Sequence, residues 1–488
     1  MTVSLRPVTA DDARLLFTWQ SDPKLRRHFH NPEAPDWDAH VLWLKRRLGN
    51  PNTLFHMVME GETKVGTLRL DRQSPGVFTV SIMIAPERQG QGLGKAALNL
   101  GRALRPAARL RAEVLAGNDA SHAAFKAAGY ARVEDGLYVH AAYGETPLAV
   151  FRVNAGPHVG LGHAQRCLAL AEALRARGWD MLFLDAPGTG IGTLAKAEGF
   201  SAHSIADGEE AVAEAAEGAR TLIVDHYQLD LKPLAEHAGR TWLLGAFDDA
   251  GSRPLPVDIA INGSPAADSI DYAALGAKLP LAGTAYQIIR TDLHPRPRRD
   301  PKQSPKQLLV TIGGGDPLEI SETLLALLEK NICPAYTGLR VDYVTGPLAP
   351  AARTPRHDAI ACHHAPSHMP DLLAGADIAI SAAGQTLMEL LYCAVPTVAF
   401  SLAENQRVNL AALTEAEGIL SAGQAKTGEW RKRLETAIRR LLDDTDLRQR
   451  LAQKGKTLID GEGAARIADA INGLANHDAA SARQETRS

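Results

Sequence analysis

The segment LAVFRVNAGPHVGLGHAQRCLALAEAL, residues 148–174, decides the fold of the larger part of this chain. It begins with an apolar run at 148–155 that is typical of a buried strand, and a glycine-rich turn leads into a stretch with apolar residues at helical spacing. The helical stripe consists of Leu161, Ala164, Leu168, Ala171 and Leu174. Basic residues and a glycine at 175–178 form a stop signal for the helix. A strand, a turn and a helix in this order predict the first unit of a parallel α/β sheet.

The same alternation of short buried strands and helices runs through the rest of the chain. DMLFLDA, TLIVDHY, TWLLGAFDD and DIAING are predicted strands of a first lobe at 148–292, and the Pro-, Arg- and Lys-rich residues 293–306 are typical of a linker. The pattern restarts at LLVTIGGGDP and gives a second lobe at 307–475, while the polar residues 476–488 are expected to be disordered. Two successive Rossmann-like lobes predict a clefted α/β enzyme.

Residues 1–143 have a different pattern. The helical stretch ADDARLLFTWQSD and the alternating stretches KVGTLRL and VFTVSIMIA predict a separate α/β or α+β domain around a mostly antiparallel sheet. HAAYGETP, residues 140–147, marks its end. We expect that cutting the chain near residue 145 removes few contacts and separates the two parts.

Composition restricts the class of protein. The 488 residues are 45% hydrophobic and 22% charged, an ordinary globular balance, and the net charge of −3 argues against a general nucleic-acid or membrane-surface partner. The four cysteines are scattered without a Cys-x-x-Cys pair, which argues against a disulfide framework or a zinc site. The start, MTVSLRPVTADDARLL, lacks a signal-peptide pattern, so a cytoplasmic protein with small-molecule substrates is expected. The sequence makes no prediction of oligomeric state.

The first chemical motif is QGQGLG, residues 89–94, between a predicted strand and a predicted helix. Such a turn points backbone N–H groups at an anion, and the helix dipole adds to the attraction. A dinucleotide-binding loop would follow the first strand of its domain, with an acidic residue about 20 positions on, whereas this loop follows a late strand. A plain glycine-rich turn is the other interpretation.

GNDASHAAFKAAGY, residues 117–130, follows the strand RLRAEVL, and together with the glycine loop it makes residues 1–143 resemble the GNAT family of acetyl-CoA-dependent N-acetyltransferases. The resemblance implies a GNAT fold, acetyl-CoA as cosubstrate, a pyrophosphate held by the loop and a pantetheine arm beside Asn118. The implied acetyl-CoA site consists of Gln89, Gly90, Gln91, Gly92, Leu93, Gly94, Lys95 and Asn118.

This chain departs from the GNAT pattern at one important position. Many relatives carry a tyrosine, proposed as the acid for the leaving thiolate, where this sequence has Phe125, so that role is unassigned. Tyr130 and Tyr138 are nearby phenols that we interpret as packing residues. Glu113 is a candidate base acting through a water, or simply a solvated carboxylate on a strand.

His163 falls in the first turn of the helix predicted after the 148–155 strand. The positive potential of a helix N-terminus disfavours imidazolium, so the ring is expected to be neutral near pH 7, as a general base requires. A capping or packing histidine is the alternative interpretation.

Six motifs, in order along residues 148–475, resemble the UDP-sugar hydrolases of pseudaminic acid biosynthesis. The motifs are FRVNAGPHVGLGHAQRCLALA, VDHYQLD, FDD, GTAYQIIR, GGGDP and SAAGQTLMELLYCAVPTVAFSLAENQ. This family has a GT-B fold of two Rossmann-like lobes, is related to glycosyltransferases and uses water as acceptor. The resemblance implies that His163 is the catalytic base. Asn154 is a departure, because relatives usually carry Asp there and an amide is never an anion.

The second lobe has its own anion-binding pattern, a small-residue turn at 381–384 that enters a helix. A phosphate is expected at this turn, and the resemblance implies that Glu389 accepts hydrogen bonds from ribose, although a solvated helix carboxylate is the other interpretation. GGGDP, at 313–317, is a second phosphate-facing turn or a contact between lobes. The predicted UDP and sugar site consists of Gly160, Gly162, Asp225, His226, Tyr227, Gly314, Ser381, Gly384, Gln385, Thr386, Glu389, Asn405 and Gln406.

No metal is expected. Cys362, His363 and His364 are adjacent, and neighbouring residues of a strand point to opposite faces. Asp248 and Asp249 are candidates for a cation, but no third ligand is evident. A helix N-terminus stabilises a leaving diphosphate without a metal.

The two resemblances together predict a bifunctional enzyme. Its first activity is 4-N-acetylation of a UDP-linked 4-amino sugar, and its second is hydrolysis of the diacetamido product to UDP and free sugar. Three alternatives stay open: a glycosyltransferase with a sugar acceptor, a fusion in which one half only binds nucleotide sugar, and the equivalent enzyme of a related nonulosonate pathway such as that of legionaminic acid. UDP release without acceptor, turnover by each half, and sugar stereochemistry discriminate among them.

Overall fold

Three β-sheets in chain order form the frame of the molecule. The computed structural model describes residues 2–141, 146–155, 162–296, 304–316 and 318–485, with backbone only at 141, 405 and 477–485. The first sheet is mixed, and the second and third are wholly parallel. Among the helices of the described ranges, none is both long and apolar enough to cross a lipid bilayer.

The N-terminal domain is a seven-stranded sheet of order β1-β2-β3-β4-β5-β7-β6 with helices on its faces. Its strands are β1 (Val3–Pro7), β2 (Thr53–Glu60), β3 (Thr63–Ser74), β4 (Val77–Ile84), β5 (Arg109–Glu113), β6 (Ala131–Glu134) and β7 (Leu137–Ala141). Its helices are α1 (Ala13–Ser21), α2 (Pro23–Arg26), α3 (Trp37–Leu48), α4 (Leu93–Leu104) and α5 (Asp119–Ala127). All pairs except β4–β5 are antiparallel, which confirms the predicted sheet.

The one parallel pair of this sheet opens along its length. β4 and β5 are paired only from Val77–Arg109 to Thr79–Arg111. Beyond that point β4 continues to Ile84 and β5 to Glu113 without pairing to each other. The two strands therefore separate toward their carboxyl ends, next to the start of α4.

The first lobe is a seven-stranded parallel sheet of order β10-β9-β8-β11-β12-β13-β14. Its strands are β8 (Leu148–Val153), β9 (Asp180–Asp185), β10 (Ser201–Ser204), β11 (Thr221–Asp225), β12 (Leu243–Phe247), β13 (Ile259–Asn262) and β14 (Leu279–Ala282). Its helices are α6 (Gly162–Arg175), α7 (Ile191–Ala197), α8 (Glu209–Ala216) and α9 (Leu231–Ala235). Because β8 lies beside β11, residues at the carboxyl ends of these two strands meet the start of α6.

The second lobe is a six-stranded parallel sheet of order β17-β16-β15-β18-β19-β20. Its strands are β15 (Gln307–Thr311), β16 (Arg340–Thr345), β17 (Ile360–His364), β18 (Ile378–Ala382), β19 (Thr397–Ser401) and β20 (Leu420–Gln424). The helices that follow in the chain are α10 (Ser321–Leu327), α11 (Met369–Gly375), α12 (Gln385–Tyr392), α13 (Glu404–Glu415), α14 (Trp430–Asp443), α15 (Thr445–Leu458) and α16 (Gly463–Glu485). The predicted strand–helix alternation of both lobes is confirmed.

The last helix differs from the expectation in two ways. α16 packs on the first lobe, where Ile467 and Ile471 join the apolar core around Leu170 of α6, so the chain crosses between the lobes twice. The helix also runs to Glu485, although residues 476–488 were expected to be disordered. Alanine, arginine, glutamine and glutamate are good helix formers and no glycine or proline interrupts them there, so the helix continues. Of the predicted linker at 293–306, residues 297–303 lie outside the described ranges.

The N-terminal domain and the first lobe share a buried interface. The carboxylate of Glu217, just after α8, is fully buried and accepts hydrogen bonds from Arg72 Nη2 at 2.8 Å and from the Gly76 amide at 3.3 Å. Arg105 Nε lies 3.7 Å from the same carboxylate, and Ala107 belongs to the apolar core of the first lobe. The expectation that few contacts are lost near residue 145 is therefore wrong, because contacts between sheets far apart in sequence are invisible in a linker's composition.

Candidate functional site

His163 lies at the wall of the cleft between the two lobes, in the first turn of α6. Its Nδ1 is 2.7 Å from Oδ1 of Asp225, the last residue of β11. Asp225 is fully buried, and the His163 side chain is only 13% exposed. The start of a helix and the end of a neighbouring strand thus hold an imidazole against a carboxylate that solvent does not reach.

Arg166, one turn further along α6, fixes the same carboxylate from the other side. Its Nε and Nη2 donate to the two oxygens of Asp225, each at 2.6 Å, and its Nη1 donates to both oxygens of Asp249 at 2.9 and 3.0 Å. The guanidinium lies 4.5 Å above the Phe247 ring. A planar fork of this kind binds carboxylates in one orientation, so the network is rigid.

The charge on Asp225 determines which nitrogen of His163 carries the proton. Burial alone would raise the pKa of Asp225, but the Arg166 charge and its hydrogen bonds, with a contribution from His163, hold the pKa at about 2. An ionised carboxylate only accepts hydrogen bonds, so the tautomer assigned to His163 has the proton on Nδ1. Nε2 is then the basic nitrogen, and it has no hydrogen-bond partner among the described residues.

Tyr227 completes the group around the imidazole. Its ring lies edge-on to His163 with centroids 5.0 Å apart, and its hydroxyl donates to Asp249. Burial and the adjacent Asp249 raise the pKa of the phenol, so the hydroxyl stays protonated. His163, Asp225 and Tyr227 are predicted site residues that the structure brings together.

The opposite wall of the cleft is the start of α12. The cavity of about 270 Å³ is lined by Gly162 and His163 from the first lobe and by Gly384, Gln385 and Gln406 from the second. The Gln385 side-chain amide donates to the Ile288 carbonyl at 3.0 Å, and so ties α12 to the chain that crosses between the lobes. Gln406 Oε1 accepts a hydrogen bond from the Leu402 backbone N–H at 2.9 Å, and the side-chain nitrogen of Gln406 lies near Gly384.

Glu389 is buried on α12, one turn beyond Gln385. Its carboxyl group has no hydrogen-bond partner among the described residues, and it faces the ion pair of Arg290 and Asp292, whose Nη2 and Oδ2 are 2.7 Å apart. Burial raises the pKa of Glu389 to about 7; Arg290 opposes this rise and Asp292 adds to it. The expectation of a solvated carboxylate as the alternative role is wrong, because the residue is only 5% exposed.

Several predicted residues do not reach the cleft. The Ser381 hydroxyl is buried and donates to the Ala382 carbonyl, and His226 Nδ1 accepts hydrogen bonds from the amides of its own turn. Gly314 accepts from the Leu348 amide, which makes its turn a contact within the second lobe. Thr386 is half-buried in the first turn of α12. Gly160 and the side chain of Asn405 lie outside what the structure describes.

Asn154, where relatives usually carry Asp, stands at the carboxyl end of β8. The backbone N–H of Asn154 donates to the backbone carbonyl of Asp225 at 2.7 Å, so Asn154 lies directly beside the residue that positions His163.

The predicted acetyl-CoA loop, 89–94, lies at the start of α4, beside the opening between β4 and β5. Gly90 and Gly92 have φ of 77° and 78°, the left-handed region that suits glycine, and Gly92 caps the helix. Leu93 is buried, so only its backbone is free to face a ligand, whereas Lys95 is exposed. Asn118 caps α5 by accepting a hydrogen bond from the Ser121 amide at 3.2 Å.

The aromatic residues near this opening pack as expected. Phe125, Tyr130 and Tyr138 are buried; the rings of Phe125 and Tyr138 are stacked with centroids 5.6 Å apart. The Tyr130 hydroxyl is buried without a partner, and burial raises its pKa. Glu113 is an exposed carboxylate at the end of β5, 3.8 Å from His30 Nε2.

The two aspartates considered for a cation point apart. Asp248 accepts hydrogen bonds from the Gly251 amide at 2.7 Å and from Tyr272, while Asp249 faces Arg166. Within the described ranges no three His, Cys, Asp or Glu residues are grouped closely enough to hold a metal ion. His363 lies on the edge strand β17, as expected for a surface segment, and contacts Asp342.

Two arginines near the candidate site, Arg166 and Arg290, were not predicted from the sequence. Arg166 follows His163 by three positions, which places it on the same helix face and was a usable signal. Arg290 ends the quoted motif GTAYQIIR, but nothing in its spacing predicts that it faces Glu389.

Comparison with known proteins identifies a matching family for the N-terminal part of the chain. The profile of the family described as acetyltransferase (GNAT) domain matches residues 2–131. A UDP-N-acetylglucosamine–N-acetylmuramyl-(pentapeptide) pyrophosphoryl-undecaprenol N-acetylglucosamine transferase from Gloeobacter violaceus is 33% identical over 129 residues, which cover 25% of this chain and 36% of that protein. The chain thus matches little more than a third of the length of this curated relative.

Among solved structures, a glycosyltransferase of kitacinnamycin aligns with a TM-score of 0.51 at 15% identity, over 67% of this chain and 99% of that one. An acetyltransferase from Thermus thermophilus is 29% identical and covers 29% of this chain and 97% of that one, with a TM-score of 0.27. The likeness to the glycosyltransferase of kitacinnamycin shows the fold of the aligned part of this chain.

The predicted fold class is therefore confirmed: an N-terminal GNAT acetyltransferase domain precedes two Rossmann-like lobes with a glycosyltransferase fold.

Proposed function

We propose that this chain is a bifunctional enzyme that acetylates and then hydrolyses a UDP-linked amino sugar. The N-terminal domain transfers the acetyl group of acetyl-CoA to the 4-amino group of UDP-4-amino-4,6-dideoxy-N-acetyl-altrosamine. The two lobes hydrolyse the product, UDP-2,4-diacetamido-2,4,6-trideoxy-β-L-altropyranose, to UDP and the free sugar. These are consecutive reactions, which gives the fusion of the two parts a chemical reason.

The observation that carries the hydrolytic step is the contact between His163 and Asp225. With Nδ1 at 2.7 Å from a buried carboxylate, Nε2 is left as a base on the cleft wall. A base in this position deprotonates a water that attacks the anomeric carbon. Asp225 stabilises the imidazolium that forms, and Arg166 keeps Asp225 ionised and oriented. Asp225 is therefore a positioning residue, in place of the sugar contact first expected.

The leaving UDP is assigned to the second lobe. The start of α12 offers backbone N–H groups and the positive end of a helix to the diphosphate. Glu389 accepts hydrogen bonds from the ribose hydroxyls, and the Arg290 cation beside it favours its ionised form. Gln406 contacts the sugar or the phosphates from the first turn of α13.

Acetyl transfer is assigned to the opening between β4 and β5. The loop at 89–94 presents backbone donors to the coenzyme A pyrophosphate, and the unpaired edge of the two strands receives the pantetheine arm. The neutral amine of the sugar attacks the thioester carbonyl, and the thiolate leaves.

The experiment combines the purified protein with acetyl-CoA and the UDP-4-amino sugar, and follows both substrates by NMR. The expected result is an acetylated nucleotide sugar that is converted to UDP and free sugar without any added acceptor. Acetylation without UDP release contradicts the hydrolytic half, and UDP release only from the unacetylated substrate contradicts the order of the steps.

A second candidate for the two lobes is transfer of the sugar to an acceptor. The identity of 33% to an N-acetylglucosamine transferase favours it. UDP release that depends on an added sugar acceptor, at a rate independent of His163, would select this candidate.

A further inference from the structure

His122 and Tyr138 form an isolated hydrogen-bonded pair in the N-terminal domain. The Tyr138 hydroxyl lies 2.8 Å from His122 Nδ1. His122 is half-buried in α5 and Tyr138 is buried on β7. His122 Nε2 has no hydrogen-bond partner among the described residues. The Tyr138 ring packs in the core of the domain, whereas its hydroxyl contacts His122 at a partly exposed position.

The place of the pair in the sheet links it to the proposed acetyl site. Tyr138 is the register partner of Ala112 on β5, one residue past Arg111, where the pairing of β4 with β5 stops. α5 begins shortly after β5 ends, so its first turns stand at the open edge of the sheet. His122 lies four residues after Asn118 and three before Phe125, on the same face of α5.

Acetyl transfer needs a proton donor at this edge. When the C–S bond of a thioester breaks, the electron pair goes to sulfur, and the resulting thiolate is stabilised by protonation. Phe125 carries no proton to give, and the Tyr130 hydroxyl is buried with no partner and with a raised pKa. Of the three aromatic residues packed at this position, only Tyr138 is connected through a hydrogen bond to a group that is partly open to solvent.

We infer that His122 is the acid that protonates the leaving thiolate of acetyl transfer, with Tyr138 as its proton-relay partner. This rests on the acetyl transfer proposed above. The His122 Nε2 proton goes to the sulfur as the C–S bond breaks, and Nδ1 takes the proton of the Tyr138 hydroxyl. The Nδ1 proton then returns to the phenolate while Nε2 takes one from water, and the attacking amine loses one to water, so the protons balance.

The test measures thiol release with an aromatic disulfide reagent, giving kcat and the KM for acetyl-CoA. His122→Gln is expected to lower kcat by about 10²-fold with KM unchanged, the loss typical of a missing general acid. Tyr138→Phe lowers kcat by a smaller factor, because the imidazole remains. Tyr130→Phe is the matched control: it removes a neighbouring phenol that has no hydrogen-bond partner, and it leaves kcat unchanged.

A rescue variant separates chemistry from structure. In the His122→Gln background, Phe125→Tyr places a hydroxyl one helical turn further along the same face of α5, and it is expected to restore part of kcat. An unchanged kcat in His122→Gln overturns the inference. So does a fall in kcat that comes with an equal rise in KM and is not recovered by Phe125→Tyr.

The same assay distinguishes failure of this inference from failure of the proposed function. The wild-type protein is first given a panel of amines that includes the UDP-4-amino sugar. Thiol release with another amine alone overturns the proposed substrate, and the variants are then compared with that amine. If no amine in the panel gives thiol release, both proposals are overturned.

Discussion

In the N-terminal domain the candidate site is made of backbone, namely a glycine-capped helix start beside two strands that separate. In the cleft between the lobes, the candidate site is made of side chains: Asp225 accepts hydrogen bonds from Arg166 and also contacts His163. A backbone site depends on φ angles and tolerates changes in its neighbours. A side-chain network depends on each member, since removing one leaves a buried charge unpaired.

Replacing the base is expected to give the largest effect and tests the side-chain site directly. His163→Asn should slow UDP release by about 10²–10⁴-fold while acetyl transfer continues, because His163 carries the one imidazole among the described residues that line the cleft. UDP release is measured by chromatography with an acetylated UDP-sugar as substrate. His363→Asn, a histidine on the edge strand β17, serves as control. Hydrolysis within a few-fold of wild type would assign the base to another residue.

The interface between the two parts tests whether they are independent. Glu217→Ala should destabilise the protein by about 3–5 kcal/mol, because it leaves Arg72 buried without its carboxylate and leaves Arg105 with Glu214 alone. Chemical denaturation gives the free energy of unfolding. Glu236→Ala removes an exposed carboxylate 4.0 Å from Lys232 and should change stability by less than about 0.5 kcal/mol. Equal stabilities for the two variants would mean that the halves fold separately.

The candidate acetyl-CoA loop is tested by a substitution that strains its backbone conformation. At φ of 78°, a valine in place of Gly92 costs about 1–3 kcal/mol, which predicts a rise of roughly 10- to 100-fold in the KM for acetyl-CoA. Hydrolysis of an already acetylated UDP-sugar should continue. Gly178→Val imposes a similar strain at φ of 79° after α6 and should spare acetylation. Loss of both activities in a folded Gly92→Val protein would show that the two sites are coupled.

Glu389 gives the smallest expected effect and a test of pH dependence. Since its pKa is raised to about 7, the carboxyl group is protonated as the pH falls below 7, and it then loses its negative charge and part of its capacity to accept hydrogen bonds from ribose. UDP affinity should therefore drop by about tenfold from pH 8 to pH 6. Calorimetry on wild type and Glu389→Gln checks this, because the ionisation of UDP itself affects both equally. Parallel pH profiles would remove Glu389 from the ribose site.

The contrast between the backbone site and the side-chain site also explains which features could be predicted from the sequence. Apolar periodicity and glycine positions lie close together in sequence, so the strands, the 89–94 loop and the place of His163 on α6 follow from local patterns. The partner of His163 is 62 residues away, and that contact depends on β8 lying beside β11. The pairing of Glu217 with Arg72 and the return of α16 to the first lobe depend likewise on packing between distant segments. Neither composition nor spacing carries that information.

The buried contacts around Glu217 fix the distance between the two candidate sites. Because Gly76 and Gly218 pack so closely that an added Cβ would lie 2.8 Å from backbone, the acetyltransferase domain does not swing on a flexible tether toward the cleft. Under the proposed function, a product of the first site diffuses to the second over a constant distance. Under the proposed function, this fixed arrangement speeds the sequence of reactions when the free intermediate is scarce, and it gives no kinetic advantage when the surrounding solution already supplies it.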